Sequence, residues 1–284
     1  TESGTLLINT GTSNGNSGSL NLGTGIAQAS SGSITLIAGK STEQSGSVKI
    51  LAGHSSSSTG GAIRLRSGGS TSASSGEINI DTGIGAKSGN LAVRTGEGTT
   101  ASGSISIQSG ISLGHKGNIL VRSGNSEAMG GSVSVVGGDS NTMTGGSTNI
   151  VTGKSLTTSS GEINVRSGSG AQSGDVQMNS GNAIAGQSGK ISFHTGSATG
   201  TSSGSVLLTA GMAQADQGGD LSVRSGSSQL GNGGLINIQS GASQQLASGS
   251  IKIETGAAKG AAQQSGSIAL QTGDAANSGN IVIT

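Results

Sequence analysis

Few side chains in this sequence are equipped for chemistry, and their spacing works against it. His54, His115 and His194 are the only imidazoles. They fall in different repeat units, the first two in turns and the third on an outward position, and no carboxylate recurs beside them. A zinc or general-base site needs several such groups at one place, so solvated histidines are expected. The six aspartates, Asp81, Asp139, Asp175, Asp216, Asp220 and Asp274, are spread over four different places in the repeat. A calcium ladder requires a carboxylate that returns in register with each turn, and none does. Ser-Gly is abundant, but no helix is predicted to follow a strand and sharp turn, as an activated serine would need. No Gly-Lys-Ser/Thr sequence opens a helix to cradle a phosphate. The expectation is a non-enzymatic protein with no cofactor, no catalytic residue and no metal site.

Arginines are the one charged type with a suggestive register. Arg66, Arg94 and Arg122 recur at intervals of 28 residues. On one stacked face they would form a candidate anion-facing ladder for a glycan or a mineral surface, although three solvated surface arginines explain the same spacing. The formal net charge is only +1, and 27 side chains of 284 are charged. No field of that strength draws in nucleic acid, and no apolar run is long enough for membrane insertion.

The elements that must carry these residues are read from the repeats. A unit of the form Ser-Gly-x-aliphatic-x-aliphatic-x-Thr/Ser-Gly, followed by a polar stretch, recurs twenty times between Gly4 and Gly279, at spacings of 13 to 17 residues. The residues two and four places after the first Gly are aliphatic or Phe in 39 of 40 cases, the exception being Thr148. Alternation with period two and β-branched enrichment predict a short strand with one apolar face. Aromatics, which fill irregular cores, are reduced to Phe193, and Pro, Cys, Trp and Tyr are absent.

A single such strand cannot bury its face alone. The expected fold is therefore an all-β, parallel β-solenoid over residues 1–284, one continuous array of about twenty units. Outward residues divide by the parity of the unit, which favours two short strands per coil of about 29 residues. A three-strand triangular coil is the alternative, because the 85-residue near-duplication of "SSGEINIDTGIGAKSGN" as "SSGEINVRSGSGAQSGD" spans six units. Glycines at the strand ends are expected to serve corners that need positive φ or close backbone approach. The chain opens on Thr1, and its first and last units reach the ends of the sequence. These features are expected of a segment of a longer rod or of copies that stack end to end.

The phrases "SGSITLIAG", "SGSISIQSG" and "SGSIALQTG" resemble the Ser/Gly-rich β-solenoid arrays of extracellular fibres and adhesin-type cell-surface proteins of bacteria and microalgae. The resemblance implies a structural or adhesive role outside the cell. The functional expectation is a filament of identical chains, associating end to end and laterally. Lateral packing is assigned to the more apolar outward face, with Leu7, Ile37, Leu120, Val151 and Leu207. The alternative function is a surface-binding module for ice or glycan. An irregular mixture of Asn, Lys, Arg, Leu and Ser on the outward positions counts against ice.

Overall fold

The computed structural model describes residues 3–112, 114, 116–200, 202–215, 217–259 and 264–283. Among them there is no helix and no β-strand, and the expected all-β solenoid is not formed. Among the described residues neither the two-strand nor the three-strand coil is formed, so the parity of the units does not sort side chains onto two sheets. No described residue is buried, and the face expected to become a core stays in solvent.

The reason lies in what each unit can contribute. Two aliphatic side chains per unit offer a few kcal/mol of burial at most, whereas ordering the 13 to 17 residues of a unit costs about 1–2 kcal/mol for each residue's backbone. Only a continuous backbone ladder between successive coils would close that gap. Among the described residues the backbone makes no such ladder; its hydrogen bonds are loop closures.

What the sequence forms instead is local. The backbone bends only in the polar linkers, and each aliphatic stretch runs between them without a bend. Alternation survives along these stretches. Asn79 donates to Glu77 (3.1 Å), Asn164 donates to Glu162 (2.8 Å), and Lys252 pairs with Glu254 (2.6 Å), each two residues apart on one side of the chain. Residues one, three and five places after the first Gly therefore share a side, and the aliphatic positions take the other.

Linker length decides whether a linker closes on itself. Counting from the Gly that ends one stretch to the Gly that opens the next, nine linkers take eight steps, six take seven and three take six. Seven of the eight-step linkers are closed by a bond from the second Gly N–H to the first Gly carbonyl, such as Gly61 to Gly53 at 2.9 Å and Gly146 to Gly138 at 2.8 Å. Two seven-step linkers close, both at 3.3 Å, and no six-step linker does. Eight-step linkers have a three-residue bend with two-residue arms, as at 56–58 between Gly53 and Gly61. In a six-step linker such as Gly83 to Gly89 the bend at 85–87 leaves one-residue arms, too short to bring donor and acceptor alongside. These closed linkers have the geometry of small Ω-loops.

In most of the closed linkers the glycine that opens the next stretch is a place of close approach. A β-carbon at Gly61 would lie 3.1 Å from Gly53 N and 3.3 Å from the Ala52 β-carbon. Positive φ is not the reason: among the described residues it occurs only at Gly186, at 109°. By contrast, the glycine that ends a stretch, for example Gly53 or Gly153, has open space where a side chain would stand. The chain divides into two compact units, Thr1–Gly146 and Ser147–Thr284. The first contains five closed linkers and the second four.

Candidate self-association surface

Aliphatic exposure follows the alternation. Past the first stretch, the first apolar residue of a stretch is the more shaded, with Ile78, Ile191 and Ile236 at 50%, 48% and 48% exposure. The residues assigned to lateral packing stand further out: Leu7, Ile37, Leu120, Val151 and Leu207 are 77–86% exposed. The structure thus presents these five to solvent, without a coil to align them as one strip. Aliphatic residues within the linkers, such as Ile84 and Leu230, are fully exposed.

Arg66, Arg94 and Arg122 are exposed, and each directly precedes the small residue that ends its stretch, Ser67, Thr95 and Ser123. The stacking that would have made a ladder of them required the solenoid. Without coils they are three separate cationic tips at equivalent corners. Among the described residues Lys252–Glu254 is the one ion pair, and at 76% and 64% side-chain exposure such a pair contributes little to stability. His54 and His194 belong to no group of potential metal ligands among the described residues; His115 and Asp216 lie outside them. The described residues enclose no cavity, and no helix is long and apolar enough to cross a membrane.

Three features organise this surface. The first is the residue just before the closing Gly, which is Ser, Thr, Ala or Gly in all nineteen complete stretches. Apart from Ser55, every half-buried residue among those described stands at this place, including Ala38, Ser67, Thr95, Ser109 and Thr152. Each lies near the Gly of the next stretch; the Thr95 γ-methyl, for instance, is 3.3 Å from a β-carbon built on Gly103. A larger side chain there would hold the linker open. The sheltering of Thr95 and Thr272 also withdraws part of the Thr series from any flat binding face.

The second feature is a serine two residues past the closing Gly, present in four of the six seven-step linkers and six of the nine eight-step ones. In seven-step linkers its hydroxyl accepts from the N–H two residues on, as Ser41 does from Glu43 at 3.2 Å and Ser126 from Ala128 at 3.2 Å. In eight-step linkers it accepts from the N–H three residues on, as Ser140 does from Met143 at 2.9 Å and Ser243 from Leu246 at 2.9 Å. The hydroxyl replaces a backbone acceptor at the bend. Six-step linkers carry Gly85, Gly170 or Ala275 at that place and have no such cap. The third feature is the order of step lengths, 7-7-7-8-8-6, which occurs twice from Gly11 onward. It is visible in the sequence once linker lengths are taken one by one rather than averaged.

The geometry can hold aliphatic and charged side chains in solvent at regular intervals along the chain. It assembles no nucleophile, base or ligand set among the described residues. Comparison with family models, with curated proteins and with solved structures returned no match.

Proposed function

We propose that this chain is a non-enzymatic structural protein of the cell surface or extracellular matrix that works by associating with copies of itself through its aliphatic stretches. The observation that carries the reading is the regular series of aliphatic side chains that the chain leaves exposed, from Ile191 at 48% to Ile283 at 87%. A periodic apolar series of this extent in solvent is a site for association. Burying one Leu or Ile against another chain gains about 1.5–3 kcal/mol, and twenty stretches multiply that gain. With a net charge of +1, no long-range repulsion keeps copies apart. The likeness of the repeated Ser-Gly phrases to those of extracellular fibres supports the location.

The test is electron microscopy and light scattering of the purified chain over a range of concentrations, alongside the double variant Leu120→Lys and Leu207→Lys. Concentration-dependent polymers in the wild type, reduced in the variant, are expected. A wild-type chain that stays dispersed at every concentration refutes the reading. Unchanged polymers in the variant remove Leu120 and Leu207 from the contact face.

A further inference from the structure

The charges on the stretches have an order that a second copy can read. Acidic residues recur one place after the opening Gly (Glu77, Glu162, Asp175 and Asp220), and five of the six arginines stand five places after it. Residues one, three and five share a side, as the Asn164–Glu162 and Lys252–Glu254 contacts show. If two such stretches lie antiparallel about their middle residue, position one faces position five and the two aliphatic positions face each other. Two stretches carry both charges: Glu162 with Arg166, and Asp220 with Arg224. We propose that residues 161–167 and 219–225 are homotypic docking segments, each pairing antiparallel with the same segment of a second copy about a two-fold axis.

In that arrangement Glu162 meets Arg166 of the second copy twice over, and Ile163 meets Val165. The contact is isologous, so one self-complementary segment satisfies both sides. Nothing among the described residues competes for it. Ile163 and Val165 are 54% and 64% exposed, and none of the four charged groups is in an ion pair among the described residues. Among the described residues the backbone of 162–166 and of 220–224 has no backbone partner and can bond a neighbour, as an open sheet edge would. Closed linkers adjoin three of the four segment ends, Gly161 to Gly153 at 3.2 Å before the first segment, and Gly219 to Gly211 at 3.0 Å and Gly234 to Gly226 at 2.9 Å on either side of the second; the six-step linker after the first, Gly168 to Gly174, is open.

The duplicated block contains its own control. Residues 76–82 are the earlier copy of 161–167, but they carry Glu77 and Asp81 where the later copy carries Glu162 and Arg166. Antiparallel self-pairing of 76–82 would set carboxylates opposite carboxylates, which is destabilising. Replacement of an acid by Arg166 turns a self-repelling segment into a self-complementary one.

This proposal rests on the self-association reading, and its test separates the two. Variant A carries Glu162→Arg with Asp220→Arg; variant B carries Arg166→Glu with Arg224→Glu; variant C carries all four changes and so restores the complement in reverse. Sedimentation velocity of the full chain at low ionic strength, where such pairs are least screened, gives the association constants. Variants A and B should each associate about tenfold more weakly than wild type, while their equimolar mixture and variant C alone return to wild-type strength. Since all four side chains are exposed, failure to fold is not the expected cause of a loss, and variant C checks it. Variants A and B that associate as tightly as wild type overturn the docking segments and leave self-association standing. A wild type that does not associate at all overturns both.

Discussion

Replacing Gly146 by alanine should open the linker from Gly138 to Gly146, and the structure sets the scale. The linker is closed by the Gly146 N–H to Gly138 carbonyl bond of 2.8 Å. A β-carbon on residue 146 would stand 2.9 Å from the Gly138 nitrogen and 3.4 Å from its oxygen. Those are backbone atoms, which cannot swing aside as the tip of a side chain would, so the two ends must part and the bond is lost. A hydrogen bond of this type contributes about 0.5–1.5 kcal/mol net, corresponding to a 2- to 10-fold fall, roughly, in the closed population. Gly153→Ala is the matched control, since no atom lies within 4 Å of its β-carbon position. There the loss of chain freedom should favour the ordered linker, by about 0.4–1 kcal/mol. The assay is amide hydrogen exchange by NMR, with each rate divided by the intrinsic rate for its own sequence. Protection of the residue 146 amide should fall in Gly146→Ala, and protection of the Gly161 amide should hold or rise in Gly153→Ala. Equal protection of residue 146 in the wild type and in Gly146→Ala would refute the argument that these glycines are required by close approach.

The linkers and the charges set the remaining expectations. Deleting Asn141 turns an eight-step linker into a seven-step one; the Ser140 hydroxyl should then accept from the N–H two residues on instead of three, and protection of the Gly146 amide should fall. Ser140→Ala should weaken the same closure without touching Gly146, by about 0.5–1.5 kcal/mol, read by the same exchange measurement. With no coil to stack them, Arg66, Arg94 and Arg122 should act independently: successive Arg→Gln changes should weaken binding of a sulfated polysaccharide by additive free energies, and a loss greater than additive would show that they form one site. Glu254→Gln removes an exposed ion pair and should leave the association constant unchanged within error.

Much of the local architecture was legible from the residues. The aliphatic pattern placed the unbent stretches and the polar stretches placed the bends, and Ile78, Ile191 and Ile236 are more shaded than Leu7 or Leu207. Glycine at the opening of a stretch was readable as a place of close approach, and Gly61 and Gly146 bear that out. Positive φ, the other reason offered for corner glycines, holds at none of those described: the one described glycine that has it, Gly186, lies inside the bend of a linker. The Ser140 and Ser243 caps were hidden because serine is so common here that its position two residues past a glycine did not stand out.

The sequence by itself determined a period, a small residue such as Thr95 or Ser123 before each closing glycine, and which side of each stretch is apolar. These are local properties, dictated by sterics between residues fewer than about ten apart. Only the tertiary structure decided whether one stretch pairs with another. Alternation states which side of an extended chain water disfavours, but not what will cover it, and the same pattern serves a coil within one chain or a contact between two. Inside this chain two aliphatic side chains per unit return too little to offset the ordering of the linker between them. Nine linkers close on themselves through Gly–Gly bonds, and the apolar faces stay in solvent.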